Sequence, residues 1–319
     1  HGMIAYGVDT RGRRIYTLHV ADAETGRVLD RIPDVTSNAV WAEDDRTLFY
    51  AKQDPGTLRS FQVWRHVVGT PVADDVLVFQ EDDEEFNCFV TKTRSRRFLM
   101  IASAHTLTNE WRVLEADRPE GDFRVFLPRE RGHEYRVDHH GEHFYVVTND
   151  AAKNFRLMRA PVHHTERANW EEVVPHRADV LLEDVELFRG HMVVVERRGG
   201  LIRMRVRELG SGAEHEIAFD EPAYSARPMG NEEFDTATLR FGYSSLTTPS
   251  SVYDYDMRSR ERTLRKREEV FGGFDPADYE TRRLAATAPD GTKVPISVVY
   301  RKPLERDGGR PLLLYGYRS

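Results

Sequence analysis

One hairpin unit returns along this chain at nearly constant spacing, and that spacing limits what the chain can fold into. Apolar centres fall near Phe49, Leu99, Phe144, Val193 and Leu239, in steps of 50, 45, 49 and 46 residues. Each centre lies in an extended run: Thr47 to Ala51, Arg97 to Ala102, His143 to Thr148, His191 to Glu196, and Thr238 to Tyr243. A turn and a shorter extended piece precede four of them: Val40 to Ala42, Phe89 to Thr91, Tyr135 to Asp138, and Val185 to Phe188. The fifth copy is looser, with Glu233 to Asp235 before its centre. β-Branched and aromatic residues bounded by Asp/Gly clusters make strands and hairpins. A period of roughly 40–50 residues with about four short strands per unit marks a propeller blade. One blade cannot bury both of its faces, whereas stacked blades hide each other's. The expected fold class is therefore all-β, a β-propeller, in preference to a β-sandwich whose spacing is accidental.

Composition supports short, half-exposed strands. Mean hydropathy is −0.60 and 31% of residues are charged, too polar for the near-continuous apolar strands of a doubly wound parallel sheet. A net charge of −7 argues against a nucleic-acid partner, which requires a basic stripe, and is compatible with cationic ligands. A single cysteine, Cys88, excludes an internal disulfide framework and a cysteine-based zinc site. No apolar run reaches about 18 residues, so no membrane-spanning helix is expected. No basic segment followed by an apolar stretch opens the chain. A reducing, cytoplasmic setting is the expectation; residue 1 is His, so the native start is expected upstream.

After the Gly- and Pro-bearing linker from Gly272 to Asp278 the texture changes. Ala277 to Arg283 supports one helical turn at most. Glu280 to Thr287, a tight turn Pro289-Asp-Gly-Thr292, and Val294 to Tyr300 read as a hairpin. A polar loop, Lys302 to Arg310, then leads to a buried-type strand, Pro311-Leu-Leu-Leu-Tyr-Gly-Tyr317. The expected organisation is a propeller over residues 1–277 and the opening of a different domain over residues 278–319.

No catalytic motif is complete. Gly242-Tyr-Ser-Ser-Leu246 is not a nucleophile elbow, and no zinc-protease helix, phosphate loop or dinucleotide fingerprint occurs. Cys88 reads as a small core filler. His139-His140 and His163-His164 read as structural or surface residues, since neighbours in a strand face opposite ways. Glu81-Asp-Asp-Glu-Glu85 reads as a solvated loop, or functionally as a negative patch for basic peptides. Trp41, Trp64, Trp111 and Trp170 read as core packing. No cofactor or metal is expected. On residues alone the chain is a binding or gating module.

A series of segments carries a resemblance. In order these are Thr57-Leu-Arg, Val63-Trp-Arg-His66 with Gly69-Thr70, Glu81-Asp-Asp83, Lys92-Thr-Arg-Ser95, Phe126-Leu-Pro-Arg129, His133-Glu-Tyr135, Asp138-His139, Phe144-Tyr145 with Thr148-Asn149, Lys153-Asn-Phe-Arg-Leu-Met158, Ile217-Ala-Phe-Asp220, Gly242-Tyr-Ser-Ser245 with Thr247-Thr-Pro249, Asp290-Gly291 with Val294-Pro-Ile-Ser297, and Pro311 to Tyr317. Their shared order resembles oligopeptidase B, within the prolyl oligopeptidase family of serine peptidases. The resemblance implies a seven-bladed propeller that caps an α/β-hydrolase domain bearing a Ser-Asp-His triad, admits short peptides, and belongs to an enzyme cleaving after Arg or Lys. It implies that this chain starts inside the propeller with about six blades and an open sheet edge. The α/β-hydrolase domain would be present only as its opening strands, with triad and acidic pockets downstream, so the chain alone would be inactive. Tyr317 matches the second tyrosine of the family's Tyr-Gly-Tyr motif, whose hydroxyl donates to the oxyanion; the family continues with Gly where this chain has Arg318. The implied partners are short basic peptides and the protein's own α/β-hydrolase domain, with no nucleic acid and no membrane. One alternative is a stand-alone β-propeller interaction module, against which the apolar Pro311–Tyr317 strand speaks. Another is a dipeptidyl- or acylaminoacyl-peptidase relative, which the ordered segments fit less well.

Overall fold

The computed structural model describes residues 2–304, 308–309 and 311–316. Among them the chain forms seven antiparallel sheets in strict chain order. Sheet one holds β1 (Met3–Val8), β2 (Tyr16–Asp22) and β3 (Val28–Val35). Sheet two holds β4 (Ala39–Trp41), β5 (Thr47–Gln53), β6 (Ser60–Val67) and β7 (Val76–Gln80). Sheet three holds β8 (Asn87–Lys92), β9 (Phe98–His105), β10 (Thr108–Glu115) and β11 (Arg124–Val125). Sheet four holds β12 (Tyr135–His140), β13 (His143–Thr148), β14 (Arg156–Pro161) and β15 (Glu171–Val174). Sheet five holds β16 (Val180–Leu187), β17 (His191–Arg198), β18 (Leu201–Glu208) and β19 (Glu214–Glu216). Sheet six holds β20 (Tyr224–Pro228), β21 (Thr238–Ser245), β22 (Ser251–Asp256) and β23 (Arg262–Arg267). The seventh is a hairpin of β24 (Tyr279–Thr287) and β25 (Lys293–Arg301). Within each sheet every strand pairs with the next in sequence, so the first six sheets are blade-like meanders.

The turns follow from local chemistry. Asp22 Oδ1 accepts the Thr25 amide at 2.7 Å, Asp54 Oδ1 the Thr57 amide at 2.7 Å, and Asp256 Oδ1 the Ser259 amide at 2.7 Å. Each Asx-type turn then places the next residue at positive φ: Gly26, Leu58 and Arg260. A side-chain carboxylate thus satisfies backbone donors that the reversal leaves unpaired.

The apolar centres expected from spacing are the second strands of their sheets. Thr47–Ala51, Phe98–Ser103 and His191–Glu196 are buried at every position; for the first two, neighbouring sheets cover both faces. Leu48 and Tyr50 pack with Leu18, Val20 and Ile32 of sheet one, while Phe49 packs with Val90, Leu99 and Ile101 of sheet three. Phe98 and Met100 point the other way, to Phe144 and Val146 of sheet four. Val147 and Leu157 of that sheet meet Leu187, Met192 and Val194 of sheet five. Successive residues serve opposite interfaces, as the strand period of two requires. Sheets two, three and four are each covered on both faces, which a two-sheet sandwich does not do. The fold is a β-propeller.

Two compact units divide the chain: residues 1–197, 204–215 and 232–237, and residues 198–203, 216–231 and 238–319. In the second unit, Phe219, Tyr224, Tyr243 and Tyr253 form a ring-stacked cluster beside Phe241. No helix among the described residues is long and apolar enough to cross a membrane.

Three sequence expectations change. The partner strand before Thr238 is Tyr224–Pro228, not Glu233 to Asp235. Residues between them loop out, pinned where Asn231 Oδ1 accepts the Arg240 amide at 2.7 Å and Asn231 Nδ2 donates to the Arg240 carbonyl at 2.9 Å. The turn expected at Ala277 to Arg283 is confined to a 3-10 turn, Pro276–Asp278, after which the chain is extended. Pro311 to Gly316 forms no strand, and Leu312, Leu313 and Leu314 are 85%, 90% and 81% exposed. An apolar run states a need for burial; a strand also needs a neighbour for its backbone groups, and none pairs with it among the described residues.

Candidate functional site

The first strands of sheets two to five, lying in the first unit, line one open cleft of about 560 Å³. Register decides which side chains face it. On β8, Cys88 and Val90 are buried between sheets two and three, so the alternate residues Phe89 and Thr91 turn to the cleft. On β16, Leu182 is buried against sheet four, while Asp184 and Glu186 line the cleft further along. First strands supply most of the wall, with Met100, Tyr145 and Val147 added from the second strands of sheets three and four.

The wall is charged yet balanced: Lys92, Arg94, Arg96 and Arg136 stand with Asp138, Asp184, Glu186 and Glu232. Lys92 Nζ lies 2.7 Å and Arg96 Nε 3.1 Å from Glu43 Oε1. The Arg136 guanidinium donates to the Glu183 carbonyl and lies 3.7 Å from Asp184. Arg94, in the turn after β8, joins three sheets. Its amide donates to Asp138 Oδ1 at 3.0 Å on β12, its guanidinium pairs with Glu186 on β16, and the guanidinium carbon stands 5.2 Å from the Phe188 ring. Burial pushes the Asp138 carboxyl up to about 6, outweighing the Arg94 and His139 amides that favour its anion. Burial also raises Glu186, with Arg94 opposing and Asp184 and Asp138 adding like-charge repulsion. Trp41, Phe89, Trp111 and Tyr145 supply apolar wall, with Phe89 and Trp111 edge-to-face at 5.9 Å.

This arrangement can hold a polar ligand; it assembles no nucleophile, base and oxyanion donor. Ser95 Oγ does stand 2.8 Å from His139 Nδ1. His139 is buried against Phe98 and Phe144, and burial lowers it to about 4. Its Nε2 has no hydrogen-bond partner among the described residues, so no third group orients the ring as catalysis requires.

Tyr317 lies outside the described residues. Cys88 is buried, with its thiol pushed up to about 12 by burial, as a core filler would be. His139 and His140 diverge, the latter meeting the Arg189 carbonyl through Nε2 at 2.9 Å. The acidic run is not wholly solvated: Glu81 is buried and pairs with Arg129 and Ser103 Oγ, while Asp82 to Glu85 are exposed. Trp41 and Trp111 serve the cleft as well as the core. Arg94 lies within the Lys92–Ser95 segment and Asp138 within the Asp138-His139 segment that carry the resemblance, but nothing in the sequence places them, or Glu186, at a cleft, since each alone reads as a turn or strand-end charge.

The molecule is thus a β-propeller in which the first strands of sheets two to five line a ligand-sized cleft. Residues 1–268 match the family described as "Prolyl oligopeptidase, N-terminal beta-propeller domain", and the chain belongs to the prolyl oligopeptidase family of serine peptidases. It is 41% identical over 99% of its length to a dipeptidyl aminopeptidase BI of Pseudoxanthomonas mexicana, and 30% identical over its whole length to protease 2 of Moraxella lacunata. The structure of oligopeptidase B from Leishmania major superposes with a TM-score of 0.86 at 33% identity over 96% of the chain. These matches cover 44%, 46% and 44% of the three relatives, so the chain spans about half their length.

Proposed function

We propose that this chain is the propeller gating domain of a serine oligopeptidase that hydrolyses short peptides after Arg or Lys in the cytoplasm. The propeller occupies residues 1–277, and an α/β-hydrolase domain opens at residue 278. The observation that carries the reading is the cleft bounded by first strands in a fold superposing on an oligopeptidase B with a TM-score of 0.86. In the intact protein the chemistry is serine attack with histidine as base and aspartate as orienter. Tyr317 donates its hydroxyl to the oxyanion there.

The test compares this chain with the full-length product of its reading frame on reporters ending in Arg, Lys, Pro or Phe. The long form is expected to cleave after Arg and Lys and to be stopped by a serine-directed inhibitor; the 319-residue chain is expected to cleave nothing. Turnover by the pure short chain overturns the reading. A second reading, release of dipeptides from a free N-terminus, is favoured by the 41% identity to a dipeptidyl aminopeptidase. N-acetylated substrates separate the two, because only an endopeptidase cuts them at the same rate as unblocked ones.

A further inference from the structure

Asp138 stands apart from the other charges of the cleft. Each of the four cations on the wall has a carboxylate within ion-pair distance: Lys92 and Arg96 share Glu43, Arg94 has Glu186, and Arg136 lies 3.7 Å from Asp184. With Glu43 counted, the wall sets five carboxylates (Glu43, Asp138, Asp184, Glu186 and Glu232) against those four cations. Glu232 is exposed. Asp138 makes no ion pair among the described residues; its Oδ1 accepts the Arg94 amide at 3.0 Å and the His139 amide at 2.8 Å. Its Oδ2 has no partner among them and, unlike Arg94 Nη1, is open to solvent.

Two further observations bear on what that oxygen meets. Tyr145 is the cross-strand neighbour of Asp138, so both side chains rise from one face of sheet four, and both line the cleft. An aromatic ring beside a carboxylate oxygen suits an organic cation, which gains from both. Burial holds the Asp138 carboxyl at about 6, above the unfolded value of about 3.9, so its ionised form costs stability at neutral pH. The fold does not require that cost, since an asparagine at 138 would accept both amides without a charge. The cleft volume of about 560 Å³ falls within the roughly 300–1,000 Å³ of small-ligand sites.

We propose that the cleft takes an organic cation whose N–H donates to Asp138 Oδ2 beside the Tyr145 ring. An anion meets no free cation there, because all four on the wall are paired. A neutral group leaves the Asp138 charge unmatched. The inference rests on the peptidase reading and adds to it: a peptide carries such a cation on a basic side chain or at a free N-terminus, and the propeller then selects for it.

The experiment reads binding alone, on the 319-residue chain, by calorimetry. Three C-amidated peptides are titrated: Ala-Phe-Ala with a free N-terminus, N-acetyl-Ala-Phe-Lys, and the neutral N-acetyl-Ala-Phe-Ala. At least one of the two cationic peptides is expected to bind about tenfold more tightly than the neutral one, and which of them does so identifies the source of the cation. Asp138→Asn keeps the acceptor for both amides and removes the charge. It is expected to abolish that preference, a loss of about tenfold, as for one hydrogen bond to a charged group. Its urea midpoint at pH 7 is expected to stay level or rise, which a purely structural acid would not allow. Asp184→Asn removes an equal charge from an acid that already has Arg136 and is expected to cost about twofold at most; Glu120→Gln on the exposed surface changes nothing. If Asp138→Asn does not fold, the wild type decides: a water-soluble carbodiimide joins a primary amine to the carboxylate beside it, and mass spectrometry is expected to find the bound peptide on Asp138. Equal binding of all three peptides, full preference in Asp138→Asn, an equal loss in Asp184→Asn, or no cross-link at Asp138 overturns the proposal. Each of these outcomes is separate from cleavage specificity, which the turnover assay reads.

Discussion

His66 on β6 is wholly buried and has a carboxylate at each ring nitrogen. Nδ1 lies 2.7 Å from Asp75 Oδ1, and Nε2 lies 3.4 Å from Asp30 Oδ2. Asp75 Oδ2 accepts from the Tyr50 hydroxyl at 2.8 Å, and Asp30 Oδ2 from the Gly69 amide at 2.7 Å. An ionised carboxylate only accepts, so both ring nitrogens must donate and the ring is an imidazolium. Because Asp30 belongs to β3, this cation staples sheet one to sheet two. Burial works against the charge, but Asp75 and then Asp30 outweigh it, and His66 titrates above the ordinary histidine value. A raised folded value gives stability that is complete below the unfolded pKa of about 6.5 and is lost as pH climbs through the folded one. His66→Gln leaves Asp75 and Asp30 with a hydrogen bond each but no cation. Removing one partner of a buried ion pair costs about 3–5 kcal/mol, and the surviving bonds place this case near the lower end. Hydrogen exchange of the β2 and β3 amides at pH 6 should then be about 100-fold faster in the variant. The gap between variant and wild type should narrow as pH rises through the raised folded value and His66 loses its proton. A difference under about 0.5 kcal/mol at pH 6, or one that does not change with pH, would refute the argument.

Two further outcomes follow from the second unit and the core. Glu221 accepts from four hydroxyls: Tyr243 at 2.6 Å, Ser245 at 2.5 Å, and Thr247 and Thr248 at 2.8 Å. Burial alone would raise its carboxyl, but these donors hold it below the usual range, so its contribution is present above about pH 4.3 and fades as pH falls through the lowered value. Glu221→Ala is expected to cost about 1–2 kcal/mol at pH 7, the lower part of the range for bonds to a charged group because the site is partly exposed; urea melts at pH 7 and pH 3 check both size and trend. Cys88 should resist iodoacetamide at pH 8 in the native chain and label fully in denaturant, since so little thiolate forms; rapid native labelling seen by mass spectrometry would contradict its burial.

The parts of the fold that the sequence made legible are those where one strand is covered twice. Leu48, Phe49 and Tyr50 are all apolar because alternate residues serve different sheets, and such runs are conspicuous at any spacing. Sheet six was misplaced because β20 reads Tyr-Ser-Ala-Arg-Pro, with too little apolar character to announce itself. The loop after it carries Asn231, whose hold on Arg240 only a tertiary contact reveals. Pro311 to Tyr315 showed its need for burial and nothing about its neighbour.

The cleft was illegible for a related reason. Its wall is assembled from Phe89, Arg94, Asp138 and Glu186, which belong to three different sheets or the turns between their strands. Each is individually compatible with an exposed strand end. Only the stacking of successive sheets brings the Arg94 guanidinium to Glu186 and its amide to Asp138. The second strands therefore specify the architecture, and the first strands, freed on one side by that same architecture, can vary in charge without loss of the core. A substitution such as Leu99→Ala falls on the first role and removes packing on the order of 2–5 kcal/mol. A change at Arg94 falls on the second and alters the charge of the cleft wall. That separation follows from where each strand lies in its sheet, and it explains why a charged cleft wall can be built on a propeller whose core is specified elsewhere.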